Sequence, residues 1–137
     1  MKKYYSNIEK DLLLHLVFRL DDHKSDRQEI APADEFLQLQ FVRHDKGMVT
    51  KPHKHIWKDS PSRTITQESW VVIKGKVRFY MYDTDDTLLD TAILNPGDVS
   101  ITFRGAHTYE MLEDDTMIYE HKTGPYYGQQ KDKEWIQ

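Results

Sequence analysis

The stretch GMVTKPHKHIWKDSPSRTITQESWVVIKG, residues 47–75, decides the fold. It carries His53 and His55, separated by one residue, and then Glu68, separated from His55 by twelve residues. Successive side chains of a β-strand point to opposite faces, so two histidines at this spacing would share a face. Imidazole and carboxylate groups together form a common ligand set for divalent transition metals. The stretch therefore predicts neighbouring strands that carry these three side chains toward one metal site.

A second stretch, GDVSITFRGAH at residues 97–107, brings a third histidine, His107. Val99, Ile101 and Phe103 alternate with polar residues, which predicts a strand whose apolar side chains form the core. On that prediction Phe103→Ala costs about 3–5 kcal/mol of folding free energy. We expect His107 to join the metal site from the neighbouring strand.

The remaining sequence consists mainly of short β-type segments between turns, such as Asn95-Pro96-Gly97-Asp98. Many short strands at fairly even spacing predict an all-β antiparallel sandwich or small barrel. A chain of 137 residues fits one domain, 1–137. We place the barrel core at about 36–122, an N-terminal strand and loop at 1–35, and an irregular tail at 123–137.

Composition narrows the range of functions. The chain contains no cysteine, which excludes disulfides and thiolate ligands and fits a cytoplasmic location. The formal net charge is −4 and the charges are well mixed, without a basic stripe, so we expect no nucleic-acid partner. No apolar stretch approaches the eighteen residues of a transmembrane helix, so we expect no membrane partner.

Further candidates follow from strand alternation and from two arginines near the predicted ligands. Residues that share the inner face of a strand would line the barrel interior, where they either bind a substrate or simply fill space. The arginines would hold an anionic group of a substrate, or they lie solvated on the surface. The substrate-binding candidates are Gln38, Gln40, Tyr109, Arg63 and Arg104, and the catalytic candidates are Tyr80 and Tyr82 besides His53 and His55.

The first stretch resembles the first motif of the cupin superfamily, G-x5-H-x-H-x(3,4)-E-x6-G. One spacing departs from the motif, because twelve residues instead of three or four separate the second histidine from the glutamate. The extra residues form an insert within 56–67, which is either an active-site lid or a disordered spacer. The matching positions are Gly47, His53, His55, Glu68 and Gly75.

The second stretch is similar to the second cupin motif, G-x5-P-x-G-x2-H-x3-N. Gly97 and Gly105 match, whereas Phe103 replaces the proline. His107 comes one residue early, and Met111 stands where that register would place the asparagine.

The resemblance implies a small antiparallel double-stranded β-helix, the jelly-roll barrel, with a metal inside. It implies His53, His55, Glu68 and His107 as ligands, and the ion would be Fe, Mn, Ni, Zn or Co. It also suggests a homodimer, for which the apolar segment 12–18, read as a strand, is the candidate contact.

Three functions remain open at this point. The first is a metal-dependent enzyme for a small carboxylate or sugar-like substrate, with the metal as Lewis acid or O₂-binding centre. The second is a metal-independent sugar-nucleotide isomerase or epimerase in which His53 or His55 acts as base and Tyr80 or Tyr82 orients the sugar. The third is a non-catalytic module that binds a small ligand, because the cupin fold does not determine the reaction.

Overall fold

The computed structural model describes residues 1–6, 8, 10–58 and 64–137. Within these residues the regular secondary structure is almost entirely antiparallel β-strand, which confirms the predicted fold class. The strands are β1 (Lys2–Tyr5), β2 (Leu13–Val17), β3 (Arg27–Glu29), β4 (Leu37–His44), β5 (His53–His55), β6 (Glu68–Lys74), β7 (Val77–Tyr82), β8 (Leu88–Leu94), β9 (Val99–Thr102), β10 (Ala106–Met111), β11 (Thr116–Thr123) and β12 (Lys133–Trp135), with short 3₁₀ helices at Leu20–Asp22 and Gln129–Lys131.

Ten of these strands form two five-stranded sheets. Sheet I has the order β3-β4-β11-β6-β9, and sheet II has the order β12-β5-β10-β7-β8. Strands far apart in sequence are paired, such as β4 with β11 and β5 with β10, as a jelly roll requires. The strands β1 and β2 pair with each other in a separate hairpin, so the segment 12–18 contains the predicted strand.

The apolar core lies between the two sheets. Val42, Trp70 and Ile118 contribute from sheet I, and Phe79 and Tyr109 contribute from sheet II. The rings of Trp70 and Tyr109 stack with a centroid distance of 3.7 Å, which joins the sheets at the middle of the barrel. Large aromatic side chains dominate the energetics of such cores because each of them buries a large apolar area.

The interior changes from apolar to polar along the strands. On β11 the inner face runs from Ile118 to Glu120 and Lys122, and all three side chains are buried. On β4 the inner face runs in the same way from Val42 to Gln40 and Gln38. One end of the barrel is therefore an apolar core, and we call the other end the polar end.

Two glycines allow turns between strands, one at each end of the barrel. Gly75 joins β6 to β7 with a φ of +80°, and a Cβ there would collide with Thr116. Gly105 precedes β10 with a φ of +78°, and a Cβ there would collide with the carbonyl oxygen of Tyr82. Any other residue would meet both a strained backbone and a close contact at these positions.

The prediction that the apolar residues of β9 face the core is wrong. Val99, Ile101 and Phe103 are 52–59% exposed, whereas Ser100 and Thr102 are buried. The cause is the register of β9 on β6. Ser100 and Thr102 lie opposite the inward-facing residues of β6, so these two polar residues face inward and their apolar neighbours face outward. Since β9 is an edge strand, its apolar face stays outside without breaking the sheet.

The C-terminal tail is more regular than predicted. The segment 123–137 contains a 3₁₀ helix and the strand β12, which pairs with β5 along its whole length. Neither 3₁₀ helix in the described part of the chain has the length or apolar character needed to cross a membrane.

Two phenylalanine substitutions test this assignment of faces. Phe79→Ala should lower the free energy of unfolding by about 3–5 kcal/mol, because the side chain is buried in the core cluster. Phe103→Ala, at 59% exposure, is the matched control and should change it by about 0.5 kcal/mol or less. Urea denaturation measures both, and equal losses would contradict the assignment.

Candidate metal centre

Four potential metal ligands meet inside the polar end, and we call them the tetrad. His53 and His55 lie on β5, Glu68 begins β6, and His107 lies on β10. His53 faces His107 across the β5–β10 pair of sheet II, whereas Glu68 comes from sheet I, so the ligands come from both sheets. One ligand atom from each residue lies within 4.8 Å of the others, and all four side chains are buried. The structure thus brings together the four ligands named from the sequence.

The carboxylate of Glu68 lies at the centre of the tetrad. Its Oε2 is 3.3 Å from Nε2 of His55, and its Oε1 is 3.1 Å from Nε2 of His107. The indole Nε1 of Trp70 donates a hydrogen bond to Oε1 at 3.0 Å. The carboxylate is therefore held from both sheets.

Two of the central atoms lack a hydrogen-bond partner among the described residues. These atoms are His55 Nε2 and Glu68 Oε2, whose contact is close but lacks the geometry of a hydrogen bond. Buried polar atoms without a partner are costly, so such atoms in a native site need an explanation. Three imidazoles and one carboxylate are a donor set that suits divalent transition metals. The residues present therefore fit a metal ion.

The protonation states of the site are set by burial and by neighbouring charges. Burial lowers the pKa of His53 to about 3, and His107 and Lys133 add to that effect, so His53 is neutral at neutral pH. Burial also opposes ionisation of Glu68, but His107 and His55 outweigh it and hold its pKa well below the usual value. A neutral imidazole and an ionised carboxylate are the forms that bind metals.

Asp132, which the sequence analysis missed, supports the tetrad from the tail. Its Oδ2 lies 3.1 Å from Nδ1 of His55, while its Oδ1 accepts a hydrogen bond from Thr66 and lies 3.4 Å from Nζ of Lys58. Burial opposes ionisation of His55, but Asp132 and Glu68 outweigh it and raise the pKa of His55. A carboxylate beside the outer nitrogen of a ligating histidine orients the ring and raises its basicity.

The strand β12 adds two inward side chains that the sequence analysis also missed. Nζ of Lys133 lies 2.9 Å from Nε2 of His53, and the ring of Trp135 meets the ring of His53 edge-on at 5.4 Å. Both sit opposite tetrad positions in the register, because Lys133 pairs with His55 and Trp135 with His53. A three-residue strand gives too short an alternation to be recognised in the sequence.

Three of the predicted substrate-binding residues lie in the interior. The amide of Gln38 donates to the carbonyl oxygens of Pro32 and Glu35, and the side chain of Gln40 accepts from Arg27. The buried hydroxyl of Tyr109 is 3.0 Å from Oγ of Ser100. These side chains are inside the barrel, but protein partners already hold them.

The other candidates that the structure describes lie away from the tetrad. The prediction that Tyr80 and Tyr82 line the interior is wrong, because Phe79 takes the inner face of β7 and alternation sends its neighbours outward. The hydroxyl of Tyr80 instead donates to Glu110 at 2.7 Å on the outer face. Arg104 is exposed and lies over the ring of Trp57, with 4.9 Å between its guanidinium carbon and the ring centroid. Arg63 lies outside the described residues.

The insert and the tail together cover the polar end. The two arms of the insert pair through a bridge between Trp57 and Ile65, and the backbone nitrogen of Lys58 donates to the carbonyl of Thr64. A groove of about 600 Å³ lies between the insert and the tail. Its walls include Phe36, Trp57, Pro125 and Tyr127, and no tetrad residue lines it.

Comparison with known proteins places the chain by its fold. No protein-family model and no curated protein sequence matches it. Among solved structures, KdgF from Halomonas sp. superimposes with a TM-score of 0.60 at 21% identity, covering 77% of this chain and 92% of KdgF. An uncharacterized conserved protein with a double-stranded β-helix domain from Klebsiella pneumoniae superimposes with a TM-score of 0.63 at 14% identity, covering 90% of this chain and 99% of that protein. CapF from Staphylococcus aureus superimposes with a TM-score of 0.64 at 18% identity, covering 89% of this chain and 34% of CapF.

These similarities confirm the predicted fold. The chain has the double-stranded β-helix fold of the small cupins. At identities of 21% and below, the similarity establishes the fold, and the function has to be argued from the site.

The role of Asp132 can be tested through metal affinity. Asp132→Asn should weaken binding of Co²⁺ or Zn²⁺ about 10–100-fold, because the amide no longer holds His55 as a basic, oriented ligand. Titration calorimetry or Co²⁺ absorption measures the affinity. Asp90→Asn on the exposed face of β8 is the control and should leave it unchanged. Equal metal affinities in both variants, with native circular dichroism, would show that Asp132 does not support metal binding.

Proposed function

We propose that the protein is a metal-dependent enzyme that acts on a small polar substrate of the carboxylate or sugar-like class. The observation that supports this most directly is the buried tetrad with its unpartnered His55 Nε2 and Glu68 Oε2. A fold shared with KdgF and other cupins is consistent with the proposal but does not specify the reaction.

The side chains of the chain have separate tasks in this proposal. The tetrad would hold a divalent Fe, Mn, Ni, Zn or Co ion, which when bound supplies Lewis acidity or, as iron, an O₂-binding centre. Trp70 fixes the carboxylate of Glu68 by its indole hydrogen bond, and Asp132 orients His55. The buried ring of Tyr109 packs beside His107 and helps to exclude water from the tetrad, and the partly exposed ring of Trp135 lies against His53.

The metal-independent isomerase is less well supported. A general base works best when its pKa lies near the operating pH, whereas the pKa of His53 is lowered to about 3. Burial opposes ionisation of His55, the other candidate base, but Asp132 and Glu68 outweigh it and raise the pKa of His55, which favours its protonated form. Tyr80 and Tyr82, which would orient the sugar, lie on the outer face of sheet II. The non-catalytic module differs from the proposed enzyme only in forming no product, so turnover distinguishes the two.

Metal content is the first test of the proposal. Protein purified without chelator or nickel resin should contain about one equivalent of a divalent transition metal per chain. His53→Ala and His55→Ala should each lose the metal while far-UV circular dichroism stays native, because each removes a ligand. Mass spectrometry of the elements measures the content.

The control for these variants is His121→Ala, whose side chain alternates with the inward Glu120 and Lys122 on β11. It should keep the wild-type metal content. Full occupancy in both ligand variants would contradict the ligand assignment, and a metal-free wild type after incubation with excess ions would contradict the metal-dependent enzyme.

Turnover is the second test. The metal-loaded protein should convert at least one member of a panel of small hydroxy acids, keto acids and sugar acids, followed by proton NMR, and His53→Ala should not. Stoichiometric binding without any product would favour the non-catalytic module.

We also propose a cytoplasmic homodimer that binds a small molecule and neither nucleic acid nor membrane. The composition supports the location and the absence of these partners, and the segment 12–18 supports the contact between subunits.

A further inference from the structure

We propose that Lys122 and Lys133 form an anion-binding subsite beside the tetrad, and that the substrate is therefore a carboxylic acid bound as its anion. This inference rests on the proposed function and narrows its substrate class. Neither lysine follows from the cupin motifs, and both project into the polar end of the barrel.

The strand register places Lys122 directly beside a metal ligand. On sheet I it is the cross-strand partner of Glu68, so both side chains point inward from adjacent positions. Side chains of directly opposed residues in an antiparallel pair are close neighbours. Lys122 is only 4% exposed, and its ammonium lies 3.9 Å from the ring centroid of Tyr126. A lysine this deeply buried is uncommon unless it is paired.

Lys133 takes the equivalent place on sheet II. It is the cross-strand partner of His55, and its ammonium lies 2.9 Å from Nε2 of His53. A metal bound by His53 would take the same lone pair, so the ammonium must then turn to another acceptor. The two lysines thus flank the tetrad from opposite sheets.

The carboxylate of Glu120 interacts with both lysines but does not satisfy them. Glu120 is buried, and its Oε1 has no hydrogen-bond partner among the described residues. Its distances to Nζ of Lys122 and Nη2 of Arg27 are 3.8 and 3.7 Å, which exceed hydrogen-bond length. Burial, aided by Glu68, also raises the pKa of Glu120 to about 7, so it carries only part of a charge at neutral pH.

The charges around the tetrad therefore favour an anionic ligand. The cationic side chains are Lys58, Lys122, Lys133 and Arg27, and the carboxylates are Glu68, Glu120 and Asp132. A divalent cation held by the tetrad increases the positive excess further. Buried charges need partners, and a substrate carboxylate would supply two oxygens to the ammonium groups. A neutral sugar would bring no additional counter-charge to the two lysines.

Paired probes test the charge requirement. Malate and galacturonate should each bind the metal-loaded protein at least about tenfold more tightly than their neutral amides, measured by calorimetry or ligand-observed NMR. An amide that binds as well as its acid, or no binding of either acid at millimolar concentration, would overturn the proposal. The more tightly bound acid tells whether the site takes a small acid or a sugar acid.

Substitutions that should change the affinity for the acid in opposite directions test the roles of the two lysines and of Glu120. Lys122→Met and Lys133→Met should each weaken binding of the acid about tenfold or more, with metal content unchanged. Glu120→Gln should tighten it, because the carboxylate that competes for the lysines is gone. Lys46→Met, on the exposed turn at the opposite end of the barrel, should change nothing. A general loosening of the barrel would weaken binding in all three interior variants, and that outcome would overturn the proposal.

Failure of this inference can be separated from failure of the proposed function. Metal content is measured on every variant before binding, and the acids are also titrated into metal-free protein. A wild type that holds metal but does not distinguish acid from amide overturns the subsite alone. A wild type that holds no metal overturns the proposed function, while the lysine variants still report on anion binding.

Discussion

The buried carboxylate of Glu68 is the constraint on which the polar end depends. At 2% exposure an ionised carboxyl group loses most of its hydration, a loss that only close partners offset. His55, His107 and Trp70 provide these partners from β5, β10 and β6. Because the partners come from both sheets, the register of three strands has to be correct at once. A slip of one residue in any of them would send its side chain to the outer face.

The apolar half of the barrel makes this arrangement possible. The stacked rings of Trp70 and Tyr109 lie at the boundary, since Trp70 packs in the core and also donates to Glu68. Tyr109 is similar, with its ring against Phe79 on one side and near His107 on the other. A buried polar network with unpartnered atoms lowers the stability of the fold. The favourable free energy of folding therefore has to come from the packing of the apolar half of the barrel. Rigid packing on one side fixes the ligands on the other.

The fold and the tetrad were predictable because their signals are local and periodic. His53 and His55 differ by two residues, which fixes a shared face wherever the strand pairs. Alternation alone does not say which face is inside, and so it failed for Phe103 on an edge strand and for Tyr80 on β7. Asp132 and Lys133 were missed for another reason. Their role depends on a tail that folds back to pair with β5, and such long-range pairing leaves no local trace in the sequence.

The contact between Lys133 and His53 links the proposed metal site to the proposed anion subsite. Nε2 of His53 lies 2.9 Å from the ammonium of Lys133. A metal held by His53 would use that lone pair, and the ammonium would then face an interior where Oε1 of Glu120 has no hydrogen-bond partner among the described residues. An anion that then accepts from Lys133 favours the metal-bound arrangement, and by linkage the metal favours the anion to the same extent. On this proposal the tetrad and the lysine pair would act as one site in which cation and anion binding support each other.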